Sequence, residues 1–289
     1  MEAREMRELV PGDDLYPPQL REIPQPPEKL WALGSFPAPG MKLLAVVGSR
    51  ALTSYGREAC QKLIAGLAGY PVSIISGLAL GADACAHRAA LTAGLHTIAI
   101  PGSGLEKSII YPRANVPLAK DILSAGGLLL SEHPPDHAAR EYDFPSRNRI
   151  MVGLADAVLM IEAGERSGTL ITARLAGDYN RHLLCVPHRI GDPHAHGAHI
   201  FLRLGATLVS EPVHVLETLG IEPRKEQEPL PLELLTDEER LVYALLDEPR
   251  GRDDLIRRST LQPHETLATL GMLELKSFAK EEFGFWRRV

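Results

Sequence analysis

The sequence predicts an α/β protein with a doubly wound, mostly parallel sheet followed by a small winged-helix-like domain. Three observations lead to this prediction. Short apolar runs alternate with helical patterns through residues 41–222, as in sheets whose parallel strands are buried on both faces. Residues 223–234 are charged, contain prolines and lack periodicity, which predicts a linker. Residues 235–289 hold three helical patterns and a hairpin pattern, which together are typical of a winged helix.

The first forty residues are predicted to be a lead-in to the sheet. The turn-forming segments YPPQL, IPQPP and PAPG interrupt them repeatedly, because proline and glycine disfavour regular structure. Only the fragment PEKLWALG is expected to supply a short packed element.

Seven apolar runs are predicted to form the strands of the sheet. A glycine-rich or polar turn follows each of them. The first run, LLAVVG, ends in glycine and is followed by the helical pattern GREACQKLIAGLAG. Buried strands that alternate with helices imply a doubly wound sheet. In such sheets ligands lie beyond the carboxyl ends of the strands, so the residues after each strand are the functional candidates. The runs are residues 43–48, 72–76, 96–102, 127–132, 157–163, 182–187 and 206–210.

The C-terminal segment begins with the pattern TDEERLVYALLDEP. Thr236 is the predicted N-cap of this helix, with acidic residues in the first turn. Two more helical patterns follow, RDDLIRRS and PHETLATLGMLELKSFA. The last residues, EEFGFWRRV, have a central glycine between aromatic residues, which predicts a short hairpin.

Composition excludes several classes of protein. The chain of 289 residues is 45% hydrophobic and 24% charged, and no run reaches the roughly 18 apolar residues of a membrane span. The charged start MEAREMRELV lacks the apolar core of a signal peptide. Cys60, Cys85 and Cys185 are scattered and form no CxxC pair, which favours buried thiols in a reducing compartment. We therefore expect a cytoplasmic protein.

The net charge of −6 is concentrated at the two ends of the chain. Residues 1–39 carry 4 basic and 7 acidic side chains, and residues 233–289 carry 9 and 12. The middle, residues 40–232, is neutral, with 18 of each sign, and 13 of its cations are arginine. A local arginine site can therefore bind phosphate although the whole chain is acidic.

Two predicted strand-to-helix turns have the composition of anion sites. Gly48, Ser49 and Arg50 follow the first strand, and a helix begins soon after them. Ser167, Gly168 and Thr169 precede another helix, where hydroxyl and backbone N–H groups can meet an anion. The first turn is not a GxGxxG motif, and a tight turn with a surface arginine remains an equal alternative.

The segment FPSRNR is the most unusual of the sequence. Phe144 beside Arg147, Asn148 and Arg149 is the composition that stacks a base and binds phosphates. A charged helix start on a solvated face is the alternative.

A series of motifs between residues 15 and 220 resembles the DNA-processing protein A family, DprA or Smf. The resemblance implies an extended Rossmann-like fold, a homodimer and cytoplasmic binding of single-stranded DNA. It also implies that the protein delivers the strand to the RecA recombinase and thereby protects incoming DNA during natural transformation. It also implies a DNA pocket at Arg50, Phe144, Arg147, Asn148 and Arg149, without catalysis, cofactor or metal. The motifs are VVGSR, YG, SGLALGADACAH, AAL, TIAIPGSGL, YP, SE, FPSRNRIMVGLAD, EAGERSGTLITA and GA.

One loop departs from the family pattern. The family has an asparagine where this chain has His199, within CVPHRIGDPHAHGAHIFLRLGA. His188, His194, His196 and His199 gather in this loop. A solvated histidine-rich loop is expected rather than a metal site, because no cysteine or carboxylate spacing supports ligation.

Two other functions compete with DNA binding. GERSGTLITA is also similar to the phosphate loop of lysine-decarboxylase-like nucleotide hydrolases, and a nucleotide sensor could use the same pocket. Against a hydrolase, Glu162 precedes this loop without a second acid after it, and no pair of base and nucleophile is visible.

The C-terminal domain is not predicted to be the principal DNA reader. A helix in a major groove carries cations and hydrogen-bonding groups along one face. The segment from Pro263 to Ala279 offers only Lys276 as a fixed cation, against Glu265 and Glu274. Arg287 and Arg288 beside Trp286 keep an auxiliary contact open.

Overall fold

The computed structural model describes residues 5–224, 234–276, 278–282 and 284–288. Contacts divide the chain into two units, Met1–Pro223 and Arg224–Val289, and each is described by itself. Most of the predicted linker 223–234 lies outside the described residues.

The first unit is built on a nine-stranded sheet in the order β1-β2-β6-β5-β4-β3-β7-β8-β9. All seven predicted runs form strands, β3 to β9, and every pairing among them is parallel. The predicted parallel α/β sheet is therefore confirmed. The strands are β1 (Arg7–Leu9), β2 (Leu30–Gly34), β3 (Lys42–Val47), β4 (Val72–Ser76), β5 (His96–Ala99), β6 (Leu128–Ser131), β7 (Ala157–Met160), β8 (His182–Cys185) and β9 (Thr207–Leu208).

Helices cover both faces of this sheet. Alternate residues of β3 enter different cores, with Ala45 and Val47 on one face and Leu44 and Val46 on the other, because side chains alternate along a strand. Burial on both faces explains why the runs are continuously apolar. The helices are α1 (Ser54–Ala65), α2 (Ala82–Thr92), α3 (Val116–Ser124), α4 (Asp143–Leu154), α5 (Thr169–Asp178), α6 (His196–Arg203) and α7 (Pro212–Thr218).

The first forty residues do more than lead into the sheet. Strand β2, within the fragment expected to pack, pairs antiparallel with β6, and β1 pairs antiparallel with β2. Leu9 and Leu30 are buried in the main core, and Tyr16 beside them donates its O–H to the Pro27 carbonyl at 2.8 Å. The prolines therefore separate short strands of the same sheet, and this part of the chain covers its edge.

The second unit has the predicted three helices and hairpin. A capping box joins Thr236 and Glu239 at the start of its first helix, which confirms the predicted N-cap. Trp286 and Leu270 lie in its separate apolar core. The elements are α8 (Asp237–Ala244), α9 (Arg252–Arg258), α10 (Pro263–Leu275), β10 (Arg250–Gly251), β11 (Ala279–Glu282) and β12 (Phe285–Arg288).

Across the described ranges, no helix is long and apolar enough to cross a membrane. The three cysteines are buried free thiols.

Candidate functional site

The strand order reverses between β3 and β7. From β3 the chain proceeds outward through β4, β5 and β6, and it then returns to the other side of β3 to form β7. Ligands of open α/β sheets bind beyond the carboxyl ends of strands at such a reversal. A crevice of about 800 Å³ opens there. Nine of the ten predicted site residues line it: Gly48, Ser49, Arg50, Phe144, Arg147, Asn148, Ser167, Gly168 and Thr169.

The turn after β3 forms one wall of the crevice. A Cβ atom on Gly48 would lie only 2.7 Å from the Cβ of Ala82, so the turn requires glycine. The Ser49 carbonyl accepts a hydrogen bond from the Ala82 N–H at 3.0 Å. These contacts hold the backbone against α2, while the side chain of Arg50 remains exposed.

A buried carboxylate ties this turn to the end of β7. Glu162 is fully buried and accepts hydrogen bonds from the Thr53 N–H at 3.0 Å and the Thr53 hydroxyl at 2.7 Å. Thr53 in turn caps α1 by accepting from the Gly56 N–H at 2.9 Å. A Cβ on Gly56 would lie 2.3 Å from the Glu162 carboxylate. Glu162 therefore holds the two turns of the crevice together.

Phe144 lines the crevice and lies close to both a cation and an aromatic ring. The Arg50 guanidinium carbon is 5.0 Å from the centre of its ring, and the ring of Tyr111 is 5.7 Å away. A Cβ on Gly102 would come within 2.8 Å of the Phe144 ring, so this glycine makes room for it. Phe144 is only partly buried, and Tyr111 is half exposed. The predicted site did not include Tyr111, whose place in the motif YP was the available signal.

Arg147 turns inward from the same helix. It is 5% exposed, and one of its guanidinium nitrogens donates to the Ile100 carbonyl. Burial lowers the pKa of Arg147, and the nearby charge of Asp83 opposes this shift. Burial likewise raises the pKa of Asp83, and the charge of Arg147 opposes it. Arg147 therefore lies within the wall of the crevice, with the opposite charge of Asp83 nearby.

Arg149 does not line the crevice, unlike the expectation from the FPSRNR segment. Its guanidinium pairs with the carboxylate of Glu132, and both side chains are largely buried. Successive helical residues are about 100° apart, so Arg147 and Arg149 point to nearly opposite sides. Phe144, Arg147 and Asn148 share one face, because residues three and four apart are neighbours on a helix.

The turn before α5 forms the opposite wall. The Ser167 hydroxyl accepts from the Thr169 N–H at 3.2 Å and donates to the Thr169 hydroxyl at 2.9 Å. Gly168 and Arg166 are exposed and line the crevice. Arg166 was absent from the predicted site, although it belongs to the motif EAGERSGTLITA. The crevice thus combines two exposed guanidinium groups with a helix start, an arrangement that binds anions.

The predicted histidine-rich loop is tied to backbone carbonyls. His188 Nε2 lies 2.9 Å from the Ile161 carbonyl oxygen, and His199 Nε2 lies 3.1 Å from that of His188. Within the described part of the chain, the group with the spacing of metal ligands is a different one: His133, His137 and Asp143.

Comparisons with known proteins match both units of the chain. Residues 7–220 match the family described as DNA recombination-mediator protein A, and residues 223–281 match the DprA winged helix domain. The chain is 43% identical over 212 residues to the protein Smf of Escherichia coli, which covers 73% of this chain and 56% of that protein. It is 41% identical over 204 residues to the DNA processing protein DprA of Streptococcus pneumoniae, which covers 71% of each.

Solved structures agree with these sequence matches. The X-ray structure of Streptococcus pneumoniae DprA aligns with a TM-score of 0.70 and 38% identity over 77% of each chain. The structure of DNA processing protein A from Helicobacter pylori, which concerns its single-stranded DNA binding mode, aligns with a TM-score of 0.64 and 29% identity. That match covers 75% of this chain and 96% of the other. The family matches, the identities and the shared fold agree, and the chain belongs to the DNA recombination-mediator protein A family, DprA or Smf.

Proposed function

We propose that this chain binds single-stranded DNA in the crevice between β3 and β7 and catalyses no reaction of its own. The observation that carries the proposal is the partly exposed ring of Phe144 beside the exposed guanidinium of Arg50, at 5.0 Å. Proteins that bind single strands combine an aromatic ring for a base with cations for the backbone.

The phosphate contacts are assigned to the two walls of the crevice. Arg50 lies on the wall after β3, and Arg166 lies on the wall before α5. The start of α5 also lines the crevice through Ser167 and Gly168. Arginine suits this role because its planar guanidinium donates two parallel hydrogen bonds to a phosphate.

The base contact is assigned to Phe144 and Tyr111. Their rings lie 5.7 Å apart at an interplanar angle of 44°. A base that stacks on one of them is stabilised by about 1–3 kcal/mol whatever its identity. Binding is therefore expected to tolerate any sequence.

The arrangement of Glu162 argues against the nucleotide-hydrolase alternative. Both of its carboxylate oxygens accept hydrogen bonds from Thr53, and the side chain is fully buried. A general base must reach the proton that it removes. Glu162 instead supports the turns of the crevice.

The wider biological role rests on family membership. We propose a cytoplasmic homodimer that protects single strands and helps to load the RecA recombinase during natural transformation and DNA recombination. The chain covers 56% of the length of the Escherichia coli protein and 55% of the Synechocystis protein Smf, so these assignments concern the matched domains.

Fluorescence anisotropy with a labelled oligonucleotide over a salt series tests the proposal. A single strand is expected to bind more tightly than a hairpin duplex of the same length. The logarithm of the affinity is expected to fall linearly with the logarithm of the salt concentration, by about 0.7 for each phosphate contact. Equal affinity for a mononucleotide and a strand would favour the sensor, and release of a free base would favour the hydrolase.

A further inference from the structure

A cluster of two histidines and one aspartate lies beside the crevice but outside the proposed DNA contacts. His133 and His137 stack with their ring centres 4.2 Å apart and their planes at 17°. Both present Nε2 to the carboxylate of Asp143, which is 1% exposed. We propose that His133, His137 and Asp143 bind a divalent transition-metal ion of the zinc class.

A hydrogen bond accounts for one of the two contacts with Asp143 but not for the other. His137 Nε2 is 2.8 Å from Asp143 Oδ2, while His133 Nε2 is 3.6 Å from Asp143 Oδ1. Ligands of a tetrahedral zinc ion lie about 3.3–3.4 Å apart, given bonds of about 2.0–2.1 Å. The two observed separations bracket that value, and all three ligand atoms lie within 4.8 Å of one another.

His133 supplies the independent observation. Its Nε2 atom is buried and has no hydrogen-bond partner. A buried polar atom without a partner is unusual in a folded protein and calls for an explanation. A metal ion between His133, His137 and Asp143 would satisfy all three side chains at once.

The main chain holds the candidate ligands in place. The His133 N–H donates to the Ser131 hydroxyl at 3.0 Å, and the His137 carbonyl accepts from the Gly104 N–H at 2.8 Å. The Arg140 N–H donates to the Asp143 carboxylate at 2.7 Å. The first two contacts fix the backbone that carries the histidines, and the third orients the carboxylate, as outer contacts of metal ligands do.

Charge and ligand type decide which ion suits the site. Two imidazoles with one carboxylate favour zinc and its neighbours over magnesium or calcium, which prefer oxygen ligands. The nearby cation Arg149 is paired with Glu132, so its charge is offset. Three protein ligands leave one tetrahedral position for water.

The metal would position the start of α4. Asp143 is the first residue of this helix, while His133 and His137 belong to the segment between β6 and α4. A bound ion would therefore join that segment to the helix that carries Phe144 and Arg147. This proposal does not depend on DNA binding.

The test titrates the metal-free full chain with Zn²⁺ in competition with a chromophoric chelator. We expect one ion per chain, and we expect Co²⁺ in its place to show the visible absorption of a four-coordinate ion. His133→Ala is expected to weaken Zn²⁺ binding by at least about tenfold, since even outer partners of metal ligands contribute about 10–100-fold. His182→Ala, at an exposed histidine that begins β8, is the control and should bind normally.

His133→Ala removes an atom that makes no hydrogen bond, so its circular dichroism should match that of the original chain. His137→Gln is the second variant if His133→Ala fails to fold. No stoichiometric binding, or an affinity that both histidine variants retain, would overturn the proposal and leave the cluster as a hydrogen-bonded packing feature.

Discussion

Replacing Arg50 with alanine tests the central contact of the proposed site. The side chain is exposed, and its guanidinium carbon lies 5.0 Å from the centre of the Phe144 ring. An exposed cation–π contact is worth about 0.5–1 kcal/mol, so the free energy of unfolding should fall by no more than about 1 kcal/mol. Loss of a hydrogen bond to a charged phosphate costs about 1.5–3 kcal/mol. The dissociation constant for a single strand should therefore rise by about 10–150-fold.

The salt dependence of binding separates this contact from a general loss of affinity. If Arg50 contacts one phosphate, Arg50→Ala should reduce the salt slope by about 0.7. Arg149→Ala is the control for a guanidinium outside the crevice, provided that urea unfolding shows it to be folded without its largely buried pair with Glu132. Fluorescence anisotropy measures binding, and urea unfolding measures stability. Equal losses for Arg50→Ala and Arg149→Ala, or an unchanged slope for Arg50→Ala, would refute the assignment.

Four further predictions concern the base contact, the turn after β3, the oligomeric state and the C-terminal unit. Phe144→Leu should weaken binding to all single-stranded homopolymers by about 1–3 kcal/mol, whereas Phe144→Tyr should weaken it only slightly. In anisotropy titrations, a loss of affinity for only one type of base would contradict stacking. Gly48→Ala should destabilise the fold by about 1–3 kcal/mol in urea, whereas Gly177→Ala, in open space on a helix, should stabilise it by up to about 1 kcal/mol. The homodimer proposed from family membership predicts a dimer mass in light scattering of residues 1–222, and a monomer at micromolar concentration would count against it. A chain ending at Glu228 should keep most of its single-strand affinity and its salt slope.

Much of the fold could be predicted because its strands are buried on both faces. Continuous apolar runs such as LLAVVG have few other interpretations when glycine-rich turns follow them. Strand β1 was missed because it has three residues, of which only Leu9 is buried. So short a pattern carries no periodicity. Its place in the sheet depends on β2 and β6, which are distant in sequence.

The position of the candidate site could be predicted from the order of strands and helices. Composition could not predict which side chains of the FPSRNR segment face the crevice. Ligand sites at the ends of parallel strands follow from topology, and the turns after β3 and β7 meet as expected. Composition does not distinguish the two arginines of FPSRNR. The phase of the helix separates them, since Arg147 faces Ile100 and Arg149 faces Glu132.

The cluster of His133, His137 and Asp143 had a weaker signal. Its members are separated by four and six residues across an irregular segment, where spacing alone does not define a common face. Only the folded loop brings the two imidazoles onto one carboxylate. The four histidines from His188 to His199 are closer together in sequence, but His188 and His199 lie against backbone carbonyls.

The chain ending at Glu228 is expected to keep its affinity for single strands because cations of the C-terminal unit are paired with carboxylates. Lys276, the one fixed cation in the segment of α10, lies 2.8 Å from Glu239. Arg250 pairs with Asp247 and Glu248 at 2.9 and 2.8 Å. Cations that are already paired with carboxylates contribute little to a phosphate contact, and the net charge of residues 233–289 repels DNA at long range.

Helix α10 exposes apolar side chains rather than cations. Leu267, Met272 and Leu275 are exposed on this helix, and Leu275 is 81% exposed. Apolar side chains suit a protein partner, whereas a groove reader needs hydrogen-bonding groups. Arg288 stacks on Tyr243 with 4.6 Å from its guanidinium carbon to the ring centre, and it donates to the Tyr243 carbonyl at 3.1 Å. If the chain ending at Glu228 stays folded but loses its affinity for single strands, the winged helix is the reader and the crevice of the first unit has another role.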